Sequence, residues 1–289
     1  MSRQDWYRLT KPGIVYGNSL HVVAGVLFAA SLYSWNWLAA FGVVIGTGLV
    51  IASACVANNR LDRRIDAKMK RTKLRASASG KIGLVGTLVY ATTLGAIGAG
   101  ILIVTTNWLT VLLGVISYIS YVWVYGYAKR TTIHSTLVGS LPGALPIAAG
   151  YTALSGTIDW LSLGIFALLF VWQLPHFYAI AIFRRQDYQQ AGLPIISLVW
   201  SVERVTKLIR WDVALYFVMA VAVSIWLLTW PAGVALILLA GYWLYVANRS
   251  SQQLDSWSRQ VFGASLVVTI GMVLTAVINL AVVHLTGLY

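Results

Sequence analysis

The sequence is poor in the groups on which soluble and secreted proteins depend. Only 10% of its 289 residues are charged and only 8 are acidic, against 59% that are hydrophobic. A water-soluble fold needs more polar surface than that, so an ordinary globular domain is excluded. A single cysteine, Cys55, excludes an internal disulfide, a CxxCH haem attachment and any paired-cysteine metal motif, and reads as a core residue. No small-residue cleavage site follows the opening Met1-Ser2-Arg3-Gln4-Asp5-Trp6 and its first apolar run, so no removable signal peptide is expected. Alternation of apolar and polar residues is missing too. Segments such as 109–121 and 213–228 are apolar on every face, which excludes a transmembrane β-barrel.

What the chain does have is long apolar runs. A bilayer core about 30 Å thick takes roughly 20 helical residues to cross. Nine runs of that order, near 13–33, 37–58, 82–105, 108–127, 132–153, 160–183, 212–229, 232–248 and 263–286, predict an all-α polytopic membrane protein, with residues 1–289 forming one domain. All 21 Lys and Arg fall in the N-terminal tail or in connections on one side of the nine helices. By the positive-inside rule that side is cytoplasmic, which puts the N-terminus inside and the C-terminus outside. The net charge of +13 then reads as orientation and contact with anionic lipid head groups, not as affinity for nucleic acid. Two basic-side connections, 60–81 and 184–211, are long enough to build sites. They come after helices two and six, four helices apart, as in a pseudo-repeat of two four-helix halves.

Three constellations carry chemistry. Asn58, Asp62 and Asp66 are spaced by four, so on a helix they drift only about 80° and share a face. Such a row of oxygen ligands can hold Mg²⁺ and, through it, a diphosphate, because Mg²⁺ takes one or two protein carboxylates and completes its shell with water and phosphate oxygens. The alternative is a solvated helix whose acids offset Arg63, Arg64, Lys68 and Lys70, although like charges at i, i+4 give a purely structural helix no benefit. Arg71 and Arg75 are further candidates to grip the same diphosphate and would share a face if their segment is helical. Tyr125 and Lys129, one turn apart in the run Tyr125-Gly126-Tyr127-Ala128-Lys129-Arg130, could hold a leaving diphosphate by phenol and ammonium. They equally fit an aromatic belt with a snorkelling lysine.

The third constellation is Trp172-Gln173-Leu174-Pro175-His176-Phe177-Tyr178, leading through Arg184-Arg185 to Asp187-Tyr188. Polar groups within a membrane helix usually face a cavity, so Gln173 and His176, three apart, point to one. Asp187 lies eleven residues beyond His176, close to a whole number of turns, and would join it if the helix continues. A packed core histidine is the plainer reading. Small residues in helix five, Gly139, Ser140, Gly143 and Gly150 with Pro142 and Pro146, allow either close packing or room for a flat ligand.

In these runs the chain resembles the protohaem IX farnesyltransferases of the UbiA superfamily of intramembrane prenyltransferases. Thr10-Lys11-Pro12-Gly13 with Asn18 is similar to the family's opening, Asn58 to Asp66 to its aspartate-rich motif, Arg71-Thr72 with Arg75 to the basic run after that motif, and Tyr125 to Lys129 to its second segment. The discriminating run is Trp172 to Phe177 with Asp187-Tyr188 and Ala191-Gly192, where quinone-forming and chlorophyll-forming relatives carry a second aspartate-rich motif. Order and spacing hold from about residue 8 to about 196. Arg64 stands where the family usually has another acid, Ala76-Ser77 where it has a hydrophobic or Pro-Leu pair, and Ile147 and Ser197 where it has proline.

The resemblance implies helices around a central cavity open to the cytoplasmic side, in the cell inner membrane. Farnesyl diphosphate and haem B would be the substrates and Mg²⁺ the cofactor, held by Asn58, Asp62 and Asp66. Tyr125, Lys129 and His176 join the two aspartates as catalytic candidates, with Arg71, Arg75, Gln173, Arg184 and Asp187 binding substrate. Haem A synthase or a terminal oxidase would be a partner receiving the product. Other readings are a prenyltransferase for a different aromatic acceptor, a secondary transporter, and a b-type cytochrome. A cytochrome would have to use His21 and His176, because His134 lies near the inner face and His284 near the outer.

Overall fold

The computed structural model describes residues 2–249 and 253–287, and among them all regular structure is helical. In chain order these are α1 (Arg3–Leu9), α2 (Pro12–Ala30), α3 (Trp37–Leu61), α4 (Arg63–Asp66), α5 (Leu84–Thr105), α6 (Trp108–Ile119), a π-helical turn (Ser120–Tyr125), α7 (Gly126–Thr131), α8 (Ser135–Ser155), α9 (Trp160–Phe183), α10 (Arg185–Ala191), α11 (Ile196–Val199), α12 (Val202–Leu227), α13 (Trp230–Asn248) and α14 (Leu254–Thr286). Counting α6, the π turn and α7 as one, nine helices among the described residues are long and apolar enough to cross a membrane. They are the nine expected.

Two of them start earlier than hydrophobicity alone predicts, at Val202 and Leu254 instead of 212 and 263. Both extensions are polar on one face and held by local bonds. Ser201 caps α12 through the Arg204 N–H, Lys207 bonds Glu203 at 2.8 Å, and the Arg204 guanidinium lies 3.7 Å from the Trp200 ring centre. The first turns of α14 carry Asp255, Ser256 and Arg259, yet bury Trp257 and Val261 against the bundle. An apolar window misses such amphipathic turns.

The helices close into a ring because α14 returns against α2, while α9 lies against α8 on one side and α12 and α14 on the other. Its largest buried side chains, including Leu168, Leu169, Tyr216 and Trp243, form one core with Phe28 of α2 and Tyr151 of α8. Cys55 is fully buried, as expected of a core residue. The α2–α8 crossing depends on two absent side chains. A Cβ on Gly25 would run into the Ile147 carbonyl, and one on Gly150 into the Val22 carbonyl. Tryptophans mark one end of the ring: Trp37, Trp108, Trp160 and Trp230 open α3, α6, α9 and α13, and all four are exposed, as in an interfacial belt.

Asp159 is the one acidic residue at that end. It caps α9 reciprocally with Ser162 and accepts bonds from the Tyr33 and Tyr151 hydroxyls. Burial pushes its carboxyl up, but the Ser162 N–H and the two phenols outweigh that and hold it below the ordinary 3.8. Asp159→Ala should therefore destabilise the fold by about 1–2 kcal/mol near neutral pH. Because the folded-state value is depressed, that contribution is present above the unfolded value and disappears as pH falls through the folded one. Thermal unfolding in detergent at several pH values measures both effects; a gap between variant and parent that widens toward acid would contradict them. Gly25→Val should cost more than Asp159→Ala, since backbone must move, and fluorescence-detected gel filtration should show little monodisperse protein.

Candidate functional site

The site begins where α3 ends. Asp62 adopts φ −84° and ψ −2°, which closes α3 and starts the single turn α4. The helical hydrogen bonds run on across this break, from the Asp62 N–H to the Asn58 carbonyl and from the Asp66 N–H to the Asp62 carbonyl. Asn58, Asp62 and Asp66 consequently share a face as their spacing predicts, and all three are buried. Arg64 is exposed and pairs with neither acid, so the extra positive charge in the motif points elsewhere.

Buried carboxylates need partners. The Lys129 ammonium donates to Asn58 Oδ1 at 2.7 Å and to Asp62 Oδ2 at 2.5 Å, while Asn58 Nδ2 donates to the same Asp62 oxygen at 3.0 Å. Arg130 Nη2 donates to Asp62 Oδ1 at 2.9 Å. Arg75 Nη1 bonds both oxygens of Asp66, at 3.1 and 2.9 Å. Lys11 also belongs here. Its ammonium lies in the field of Asp62, Asp66 and Arg75, it forms no ion pair with the described residues, and burial pushes its value down from the usual lysine range. Among the described residues it is the one non-glycine with positive φ, 52°, at the joint between α1 and α2. Two carboxylates thus face four cations, an excess suited to an anion.

The π turn supplies the aromatic wall. Tyr121 and Tyr125 stack with ring centres 5.7 Å apart, and Lys129 Nζ lies 5.3 Å from the Tyr125 ring. A π turn adds a residue to the helix and re-aims the side chains beyond it, so Tyr125 and Lys129 turn inward together. Tyr125 fits because Gly139 has no side chain, and Gly143 likewise makes room for Gln173. The small residues of helix five therefore serve packing. Tyr188 of α10 approaches the same wall. Burial raises its phenol, Arg71 and Arg184 draw it back, and Tyr125 lies within its field.

Other expectations need correction. Arg71 and Arg75 do not share a helix face: residues 67–83 form turns, with Arg75 on Asp66 and Arg71 exposed near Tyr188. Gln173 and His176 diverge. Gln173 Nε2 donates to the Ser140 carbonyl of α8 at 3.1 Å, whereas His176 Nδ1 meets Ser265 Oγ of α14 at 2.7 Å and its ring stacks on Trp172 at 4.5 Å. α9 ends at Phe183, so Asp187 sits on α10, 3.9 Å from Arg184, and does not continue the His176 face.

The structure thus brings together Asn58, Asp62, Asp66, Arg75, Tyr125 and Lys129, adds Lys11, Arg130 and Tyr188, and leaves His176 and Gln173 on deeper, separate contacts. For Lys11 the available signal was Pro12 directly after it, which starts a helix and fixes the lysine at a joint. The oxygens of Asn58 and Asp62 already grip a cation, the Lys129 ammonium, and an amide with two carboxylates fits Mg²⁺. Among the described residues no three His, Cys, Asp or Glu side chains form a cage, so a metal there would draw its remaining ligands from phosphate and water.

Residues 19–268 match the profile of the UbiA prenyltransferase family. The chain is similar to Protoheme IX farnesyltransferase 2 of Pseudomonas fluorescens (strain Pf0-1), with 40% identity over 275 residues, covering 92% of the chain and 91% of that relative. The Protoheme IX farnesyltransferase of Pseudomonas syringae pv. syringae (strain B728a) matches with the same identity and coverage, 40%, 92% and 91%. Among solved structures, a UbiA homolog from Archaeoglobus fulgidus bound to DMAPP and Mg²⁺ superposes with a TM-score of 0.75 at 14% identity, covering 96% of this chain and 99% of that one. The same homolog bound to GPP and Mg²⁺ gives a TM-score of 0.70 at 14% identity, covering 94% and 99%. At that identity the likeness is one of fold.

The Asp66–Arg75 pair should behave as a unit. Arg75→Ala alone is expected to destabilise by about 3 kcal/mol, because it leaves the buried Asp66 carboxylate uncompensated, and Asp66→Asn by less, because Arg75 is only half-buried and keeps its bond to Asn59. The double variant should cost less than the sum. A thermal double-mutant cycle measures the coupling, and strict additivity would show that the pair does not interact.

Proposed function

The chain belongs to the UbiA prenyltransferase family, and from that premise we propose that it is a multi-pass membrane enzyme transferring a farnesyl group from farnesyl diphosphate to a vinyl group of haem B, with addition of water, to give haem O. The wall of Asn58, Asp62 and Asp66, already gripping cations at the mouth of an apolar bundle, carries the prenyl-transfer reading. The acceptor is inferred from the relatives, which are protohaem farnesyltransferases over nearly their whole length.

Asn58, Asp62 and Asp66 would hold Mg²⁺, which when bound neutralises diphosphate charge and favours its departure. Lys11, with no ion pair of its own, and Arg71 at the rim offer charge to the incoming diphosphate. As the bond from carbon to oxygen breaks, Tyr125 donates its hydroxyl hydrogen bond, and Lys129 and Arg130 offset the charge growing on the leaving oxygen. The vinyl carbon of haem then bonds the farnesyl carbon, and the cation left on the porphyrin side takes hydroxide from water, releasing a proton. Stacked Tyr121 and Tyr125 keep bulk water from the allylic carbon until that bond has formed.

Arg184 and Asp187 help through α10, which carries Tyr188 to the wall, while Gln173 acts by holding α9 to α8. The basic end, and the N-terminus with it, faces the cytoplasm of the cell inner membrane, with the tryptophan end outside. The chain works as one domain, since α9 joins both halves. Haem O, too apolar to leave the bilayer readily, passes to a membrane partner such as haem A synthase or a terminal oxidase.

Membranes containing the chain, given haem B, farnesyl diphosphate and Mg²⁺, should form haem O detectable by mass. Asp62→Ala should abolish it, as should excess chelator, and Tyr125→Phe should lower turnover by about tenfold or more with little change in KM. Full turnover by Asp62→Ala, or a prenylated product other than a haem, would sink the reading.

A further inference from the structure

Ser265 is fully buried on α14, and its hydroxyl has two partners. It donates to the Phe262 carbonyl at 2.6 Å and meets His176 Nδ1 at 2.7 Å. A hydroxyl has one proton. With that proton on Phe262, the Ser265 oxygen can only accept from His176. The imidazole ring is enclosed by Trp172, Phe177 and Phe262, apolar surroundings that disfavour a charge. It therefore carries its hydrogen on Nδ1 and an open lone pair on Nε2, which has no hydrogen bond among the described residues.

A second imidazole lies close by. His21 of α2 is buried with neither ring nitrogen bonded, and it meets Trp172 edge-on at 5.8 Å, so both histidines touch the same indole. A neutral imidazole whose other nitrogen is anchored is the usual form of a metal-ligating histidine. Yet among the described residues no third metal-binding side chain joins them. A bare ion would be under-ligated here, whereas an iron porphyrin brings four nitrogens of its own.

We infer that Ser265 is a positioning residue that fixes His176 in its Nδ1–H form, so that Nε2 ligates the iron of the porphyrin acceptor, with His21 facing the same occupant. This rests on the proposed haem acceptor.

The purified full chain in detergent can be titrated with ferric haem B and, separately, with iron-free protoporphyrin IX, following absorption and electron paramagnetic resonance. The parent should give an imidazole-ligated iron spectrum, absent in His176→Ala or, where that variant does not fold, in His176→Gln. Ser265→Ala should weaken haem binding about 10–100-fold and leave protoporphyrin binding unchanged, and Ser265→Thr, which keeps the hydroxyl, should restore it. Equal loss of both porphyrins in Ser265→Ala would reduce Ser265 to packing. An iron signature that survives His176→Ala and vanishes in His21→Ala would make His21 the ligand and overturn the assignment. Farnesylated haem formed by a parent lacking any imidazole signature would overturn the inference alone, whereas a parent that binds neither porphyrin would overturn the acceptor reading with it.

Discussion

The bond network joining Lys129, Asn58 and Asp62 is the constraint on which the rest of the polar end depends. It ties the foot of α3 to α7, two elements separated by a complete out-and-back passage across the bundle, and does so with charges removed from water. A carboxylate in that position is tolerable only if cations are delivered to it from elsewhere in the chain. The π turn, the break at Asp62 and the bare backbone of Gly139 can each be understood as geometry that makes this delivery possible. Arg130 and Arg75 extend the same compensation to the outer oxygen of Asp62 and to Asp66.

How legible this was from residues alone differs by kind of information. Helix number could be read from apolar length because a bilayer leaves the backbone few options. The face shared by Asn58, Asp62 and Asp66 could be read from spacing, since i, i+4 bonds persist even through the break. Amphipathic extensions at Val202 and Leu254 were missed because hydropathy is blind to a helix held by Glu203–Lys207 and by one buried face. The divergence of Gln173 and His176 was hidden for another reason: residues three apart differ by about 60° from the same heading, and which neighbour claims each depends on α8 and α14, brought close only by the tertiary fold.

Lys11 and Tyr188 illustrate a further limit. Neither belongs to a spaced motif with the acids, being about fifty residues before and over a hundred after them. Each reaches the wall by way of a joint or a short helix outside the membrane spans, where periodicity carries little information. Both lie in runs that resemble the family, yet the roles of individual residues within those runs became visible only with the packing of α10 and the left-handed turn at Lys11.

Asn59, next to the acid wall, has its own reach. Its amide donates to the Leu9 carbonyl at 2.8 Å and accepts from Arg75 at 3.5 Å, while Leu9 itself is buried. One side chain thereby latches the interfacial helix α1, the foot of α3 and the loop that carries Arg75. The short segment ahead of the first membrane span is, in this sense, a keystone of the polar mouth of the bundle. A bulky group attached there that levers Leu9 from its seat would slacken the grip on Asp66 from more than fifty residues away in sequence, with every membrane span still in place.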